Sequence, residues 1–375
     1  MKIGILTLPL HTNYGGILQA YALQTILERM GHEVKVIDIS HKVVLKWYKA
    51  PLSYVRRFFS LFTSHPIPIF FEQKLNRERS LAQINTRPFI NRYIHSYCVN
   101  YYNNINEKDF DAYVVGSDQI WRPVYVKNLR KGACIEEAYL QFAREWEVKR
   151  IAYAASFGTD EWEYTDDETR NCMQLIKKFD MVSVREASGV RLCKEYFEMN
   201  AFHVLDPTML LDKADYVKLF EQAETPKSNG DLLIYVLDET SETTTLIKHV
   251  SEKYNMIPFR TNVEVENKKL PIEQRIQLPL DQWLRGFYDA KLVVTDSFHA
   301  CVFSILFRKP FIVVGNKKRG LARFHSLLSM FGLESRLWSA DADVDNMIIP
   351  LPQEAFALLD EWRNKSKDFL KASLV

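Results

Sequence analysis

Residues 1–39, MKIGILTLPLHTNYGGILQAYALQTILERMGHEVKVIDI, change periodicity twice, and those changes decide the fold. Ile3 to Leu8 is a short apolar run, followed by a polar loop, His11 to Gly16, that ends in two glycines. From Leu18 the apolar residues take helical spacing. Leu23, Ile26, Leu27 and Met30 share a face, and Gly31 stands where such a helix ends. Val34 to Ile39 then reads as a second strand. Strand, loop, helix and strand in that order form a βαβ unit, which implies a parallel sheet with a right-handed crossover.

Working outward, Ala112–Gly116, Ile151–Ala155 and Met181–Val184 continue the series of apolar strands. Asp206-Pro207 reads as a turn between domains, because proline fixes its own φ and disfavours helix before it. A second α/β rhythm follows the polar segment Glu224–Asp231. It comprises strand Leu232–Leu237, helix Glu242–Tyr254, strand Lys291–Thr295, helix Phe298–Phe307 and strand Pro310–Val314. Phe356, Leu358, Leu359, Trp362 and Phe369 give the tail helical spacing. The expected architecture is α/β, with two Rossmann-like doubly wound domains facing a cleft. The first covers 1–205, the second 206–350, and 351–375 is a C-terminal helix that packs back on the first domain. Residues 41–75 depart from the rhythm as a basic, aromatic insertion in which Glu72 is the sole acid.

The bulk numbers agree with this division. A chain of 375 residues suits two ordinary domains, and 47% apolar with 26% charged residues is a globular balance. A formal charge of +2 gives no reason to expect nucleic acid as a partner. The five cysteines (Cys98, Cys134, Cys172, Cys193 and Cys301) are scattered, which argues against a disulfide framework and a thiolate zinc site. The histidines show no metal-ligand spacing, and no metal is expected. The first residues read as a buried strand rather than a signal peptide, and no apolar run reaches the roughly eighteen residues of a membrane span. These features point to a cytoplasmic protein.

Ligands of doubly wound sheets bind beyond the carboxyl ends of the strands, so the candidate site residues lie in the loops there. In the loop Asn13-Tyr14-Gly15-Gly16 the glycines allow close backbone approach, and the helix start suits an anion; a ligand-free turn is the plain alternative. Ser117, Asp118, Gln119 and Trp121 follow a strand and resemble a sugar-binding cluster. Asp118 is a candidate base, or else merely a cap. Ser156 lies in a small-residue turn, and Arg185 can fork onto a carboxylate or phosphate unless Glu186 pairs with it. Asp296-Ser297-Phe298-His299 puts an imidazole in the first turn of a helix, where it can act as an acid, a base or a hydrogen-bond donor to phosphate. Asp296 or Ser297 is placed to cap that helix, and a buried core histidine is the alternative for His299. Lys317, Lys318, Arg319 and Arg323 surround Gly320 after a strand, a charge run suited to a small dianion. The sequence lacks both the P-loop ending and the dinucleotide fingerprint, which disfavours ATP and NAD.

Taken together, Asn13-Tyr14-Gly15-Gly16-Ile17-Leu18-Gln19-Ala20-Tyr21-Ala22-Leu23-Gln24, Gly116-Ser117-Asp118-Gln119-Ile120-Trp121, Asp206-Pro207-Thr208 and Asp296-Ser297-Phe298-His299-Ala300 resemble the motifs of the polysaccharide pyruvyl transferase family. They occur in that family's order across roughly residues 1 to 335. The resemblance implies a GT-B-like pair of Rossmann domains, phosphoenolpyruvate as co-substrate with no further cofactor, and a pyruvate ketal left on a hexose or hexosamine of a cell-surface or exopolysaccharide precursor. It implies that His299 contacts the donor with Arg185 as a second contact, and it adds Gln19 to the binding set. Many members carry Arg-Leu directly before the histidine. This chain has Ser297-Phe298, so Lys317, Arg319 or Arg323 is expected to supply the missing charge.

Two further expectations concern partners. Lys42, Lys46, Lys49, Arg56 and Arg57, interleaved with Trp47, Tyr48, Tyr54, Phe58, Phe59 and Phe62, can lie on an anionic bilayer, which would suit a lipid-linked oligosaccharide acceptor and a peripheral place at the inner face of the membrane. The alternative for 42–74 is a pair of helices covering the sheet. A glycosyltransferase of the same fold with a nucleotide-sugar donor, and a non-catalytic carbohydrate-binding module, are the competing functions.

Overall fold

The computed structural model describes residues 1–39, 42–63, 66–129, 132–315, 320–339 and 342–375. Two wholly parallel sheets organise them. The first consists of β1 (Lys2–Leu6), β2 (Glu33–Ile39), β3 (Ser96–Val99), β4 (Ala112–Val115), β5 (Lys149–Ala155), β6 (Met181–Val184) and β7 (Phe202–His203). Its spatial order is β3-β2-β1-β4-β5-β6-β7. The second, β8 (Leu232–Tyr235), β9 (Pro258–Arg260), β10 (Leu292–Thr295), β11 (Phe311–Val314) and β12 (Leu337–Trp338), runs β12-β11-β10-β8-β9. Both orders reverse direction once, between β1 and β4 and between β8 and β10, and such switch points open a crevice at the strands' carboxyl ends. The two Rossmann-like domains foreseen from the alternating pattern are present. Four short strands, β3, β7, β9 and β12, were not visible in the sequence, and each sits at or next to a sheet edge where little apolar patterning is required.

The helices used below are α1 (Tyr14–Arg29), α2 (Ala50–Ser60), α3 (Phe71–Ala82), α4 (Ala187–Phe197), α5 (Leu280–Asp289), α6 (Phe298–Leu306), α7 (Ala322–Met330) and α8 (Gln353–Ser373). α1 begins four residues earlier than its apolar spacing suggests, because Asn13 caps it and Gly15 and Gly16 are helical. One apolar core runs through both domains, from Ile3 and Ile5 of β1 through α1 to Trp283 and Phe287 of α5, Phe303 of α6 and Leu370 of α8. Tyr14 marks the joint. Its ring lies 5.4 Å from Trp283, and its hydroxyl donates to the carbonyl of Leu278 at 2.8 Å, with the carbonyl of Thr261 at 3.3 Å.

The chain passes between the domains twice. It leaves the first sheet after β7 through Asp206–Leu211, and the helix Lys213–Gln222 that follows packs on α5. It returns after Leu351 as α8. Phe356 near the start of α8 faces the Arg308 guanidinium at 4.3 Å. Phe369 near its end lies 6.1 Å from Tyr153 and 5.3 Å from Phe202, and Ser366 Oγ accepts the Leu205 N–H at 2.9 Å.

The insertion forms a pair of helices, α2 and α3, but α2 buries none of its residues, so it does not cover the sheet. Bidentate bonds from Arg57 to Glu72 at 2.7 and 2.5 Å hold the pair together. The inner end of α3 reaches the second domain, where the Gln277 N–H donates to the Ala82 carbonyl at 3.2 Å.

Replacing Tyr14 by phenylalanine removes the donor to the partly buried Leu278 carbonyl while keeping the ring. It should cost about 1 to 3 kcal/mol in urea unfolding. An unchanged midpoint would show that this joint contributes nothing to stability.

Candidate functional site

The carboxyl ends of β1, β4, β5, β6 and β10 converge on one buried cluster of charge. At its centre is Arg185, directly after β6, whose side chain has no exposed surface. Its Nη1 donates to Asp206 Oδ2 at 2.8 Å, its Nη2 to Asp118 Oδ1 at 3.2 Å, and its Nε lies 3.8 Å from Glu186 Oε2. Asp118 sits in the loop after β4 with φ of 53°, a left-handed conformation that turns its carboxylate back toward the start of α1. There Asn13 Oδ1 accepts the Gly16 N–H at 3.2 Å, and Asn13 Nδ2 reaches Asp118 Oδ2 at 3.4 Å.

Asp206 gathers the remaining donors. Its Oδ1 accepts the N–H and hydroxyl of Thr208 at 3.0 and 2.7 Å. Ser117 Oγ lies 3.2 Å from its Oδ2, and His299 Nε2 stands 3.6 Å from the same oxygen, too far for a hydrogen bond. Burial alone would raise the Asp206 carboxyl. The nearby His299 ring, the Arg185 cation and the Thr208 bonds instead hold it well below the usual carboxylate range. Burial pushes the neighbouring Glu186 carboxyl up, against the opposing pull of Arg185 and Arg323, while its Oε1 accepts the N–H groups of Phe157 and Gly158.

The second domain contributes His299, Phe298 and Arg323. His299 is the second residue of α6, and its ring lies flush on α1. A Cβ added to Gly15 would fall 2.0 Å from His299 Nδ1, so only glycine admits the imidazole there. The starts of α1 and α6, each with unpaired N–H groups and a partial positive charge, therefore meet across the cleft. The Phe298 ring lies between two cations, with the Arg185 guanidinium 4.5 Å and the Arg323 guanidinium 5.7 Å from its centroid. Burial, and secondarily the charge of Arg185, bring Arg323 down to about 10, so it is still a cation at neutral pH.

Of the residues singled out from sequence, Asn13, Gly15, Gly16, Ser117, Asp118, Arg185, His299 and Arg323 come together. Several others are corrected. Gln19 is wholly buried and braces the loops, donating to Thr7 Oγ1 and the Gly16 carbonyl and accepting the Ser117 N–H. Trp121 is a core residue stacked on Tyr139 at 5.0 Å, because the turn after Asp118 carries its indole into the first domain. Tyr14 belongs to the interdomain joint. Ser156 has no exposed surface; its backbone ties to Asp118 and Trp121, and its hydroxyl accepts the Gly158 N–H. Gln119 is buried with Oε1 directed at Arg122. Asp296 does not cap α6. Its carboxylate accepts the N–H groups of Leu237 and Asp238 and closes the switch point of the second sheet. Ser297 occupies the capping position of α6 without a side-chain bond and is partly exposed. Lys317 and Arg319 lie outside the described residues. Gly320, which follows them, approaches the first domain so closely that a Cβ would fall 2.2 Å from the Gly158 carbonyl oxygen.

Asp206 and Phe298 join the site although their sequence surroundings mark neither. Asp206 precedes proline and so reads as a turn, and nothing local shows that its carboxylate serves an arginine beyond the preceding strand. Among the described residues no group of three metal-ligating side chains is arranged to hold a metal ion. The arrangement sets an imidazole beside a cluster that contains two buried guanidinium groups.

The model of the polysaccharide pyruvyl transferase family matches residues 13–318, most of the chain. This chain belongs to that family. The match contains the starts of α1 and α6, the Asp118 loop, Arg185 and Asp206; Arg323 lies just beyond it. No curated protein matches the sequence significantly. Among solved structures, the Neisseria meningitidis UDP-GlcNAc 2-epimerase bound to UDP-GlcNAc is 13% identical, covering 98% of this chain and 94% of that one at a TM-score of 0.46. The Escherichia coli ADP-heptose LPS heptosyltransferase II is 9% identical, covering 96% and 99% at 0.36. The two-domain, GT-B-like assignment rests on the strand orders rather than on these likenesses.

Removing the central cation deprives the buried Asp118 and Asp206 of their shared guanidinium, so Arg185→Met should destabilise the protein by roughly 3 to 5 kcal/mol. Acid should act through Asp206. Its folded-state pKa is depressed, so its contribution is present above the unfolded value of about 3.9 and is lost as pH falls below that. Unfolding free energies measured from pH 6 downward should therefore fall less steeply in Asp206→Asn than in the parent; equal slopes would mean that Asp206 is not the acid-sensitive group.

Proposed function

We propose that this family member transfers the enolpyruvyl unit of phosphoenolpyruvate to a hexose or hexosamine of a glycan precursor, forming a cyclic pyruvate ketal and releasing phosphate, without a further cofactor. The observation that carries the reading is the junction of His299 with the start of α1, beside the buried cations Arg185 and Arg323. It combines a proton-bearing ring with the positive charge that a carboxylate and a phosphate require.

In the proposed course, a proton adds to the terminal carbon of phosphoenolpyruvate and becomes part of a methyl group. The electron pair of the double bond forms the new C–H bond and leaves positive character on the carbon that bears phosphate. One acceptor hydroxyl attacks that carbon and gives up its proton. The C–O bond to phosphate then breaks, phosphate departs with the bonding pair, and a second hydroxyl closes the ketal and releases its own proton. His299 is assigned as the acid or as a hydrogen-bond donor to the phosphate, with Asp206 a fixed negative charge beside its ring. Asp118 is assigned as base. Arg185 occupies its Oδ1, while Oδ2 faces Asn13 and the start of α1. Arg323 takes the place of the arginine that Ser297 lacks. Phosphoenolpyruvate and nucleotide-activated glycan precursors are both cytoplasmic chemicals, and the reaction is placed in that compartment.

Thermal unfolding tests the donor without knowledge of the acceptor. Phosphoenolpyruvate at about a hundred times its dissociation constant should stabilise the protein by about 2.7 kcal/mol. His299→Ala and the bulk-preserving His299→Gln should abolish that shift and lower turnover by roughly two to four orders of magnitude. Stabilisation by a nucleotide sugar and not by phosphoenolpyruvate would replace this reading with that of a glycosyltransferase.

A further inference from the structure

The helix pair α2–α3 is amphipathic in the wrong sense for a soluble surface. The side of α2 that turns toward the protein carries Ser53, Tyr54, Arg57 and Ser60, and it is held by polar bonds. Arg57 reaches Glu72 and the Ile69 carbonyl, and the Ser60 hydroxyl donates to the Arg57 carbonyl. The outward side carries Leu52, Val55, Phe58 and Phe59, with Trp47 before the helix and Phe62 after it. Trp47 is 86% exposed, Phe62 78% and Phe59 64%. Elsewhere among the described residues, large apolar side chains at the surface are scattered; here they are contiguous, and a patch of this kind on a soluble protein marks a covered surface.

The charges around the patch say what covers it. Lys42, Lys46, Lys49 and Arg56 are exposed beside it, and the sole acid from 42 to 74, Glu72, is consumed by Arg57. A protein partner would be met by mixed charge; an exclusively basic rim around bulky aromatics matches the boundary between anionic headgroups and acyl chains. Its place in the fold agrees. α3, about 18 Å long by its rise per residue, connects the patch to the cleft. Its inner end bonds Gln277, and the adjoining Thr86 hydroxyl donates to the His11 carbonyl at 2.6 Å in the loop that opens the site. No described helix is long and apolar enough to cross a membrane.

We propose that the α2 face binds the surface of an anionic lipid bilayer, with Trp47, Phe58, Phe59 and Phe62 entering the acyl boundary and Lys46, Lys49 and Arg56 engaging headgroup phosphates. The cleft then stands one helix length from the bilayer, within reach of a saccharide carried on a lipid.

Flotation of the full chain with phosphatidylcholine vesicles, with and without phosphatidylglycerol, tests the surface directly and involves neither donor nor acceptor, so its outcome is independent of the proposed reaction. The protein should float only with the anionic vesicles. Lys46→Glu, Lys49→Glu and Arg56→Glu should each reduce partitioning by roughly fivefold or more, and each of Phe58→Ser, Phe59→Ser and Phe62→Ser by roughly tenfold. Because α2 buries no residue, the variants should melt with the parent. Trp47 is the one exposed tryptophan among the described residues, and its emission should shift to the blue on binding and not in Trp47→Phe. Absence of flotation with anionic vesicles, or partitioning untouched by charge reversal, would overturn the proposal. So would a concentration-dependent dimer in sedimentation that Phe58→Ser abolishes, since the face would then be covered by a second copy.

Discussion

A guanidinium with no exposed surface fixes the geometry of the site. A buried cation is costly unless it is paired and hydrogen-bonded, and Arg185 meets that requirement with carboxylates from separate parts of the chain. Asp118 comes from the loop after β4, Asp206 from the passage between the domains, and Glu186 from its own neighbour. Each carboxylate is tied to backbone or side-chain donors, so satisfying one arginine also sets the positions of two strand ends and an interdomain segment. These three acids outnumber the arginine, and the second domain brings the compensating groups, Arg323 and His299. The two domains thus meet where acids of the first face Arg323 of the second.

The architecture was legible because buried parallel strands are nearly continuous apolar runs. β1, β4, β5, β6, β8, β10 and β11 all appear in the sequence within a few residues of their observed ends. The edge strands were not legible, since β7 and β12 are only two residues long and carry no period to detect. Within the site, residues that follow a central strand directly, such as Arg185 and Asp118, could be found by position alone. Those whose role depends on a partner distant in sequence could not. The contact of Gly15 with His299 joins residues nearly three hundred apart, and the service of Asp206 to Arg185 depends on the path between the domains. The opposite error, reading Trp121 and Gln19 as ligand contacts, has one cause: residue type suggests chemistry, but the direction of the side chain decides whether it faces the cleft or the core.

The replacement of the family's Arg-Leu by Ser297-Phe298 also acquires a physical account. The aromatic ring occupies the space between Arg185 and Arg323 and offers its π face to both, which lowers the cost of holding two like charges in one buried volume. Arg323, in the first turn of α7, is the cation that stands beside this ring from the second domain.

The double passage of the chain decides where the domains are joined. They are joined once through Asp206–Leu211 and again where α8 returns with Phe369 against Tyr153 and Phe202. The two passages lie side by side, since Arg363 of α8 donates to the carbonyls of Met209 and Leu211. Both covalent links therefore form one seam, and Asp206 stands in it. A carboxylate of the site thus belongs to the seam itself, while His299 and Arg323 are carried by the domain beyond it.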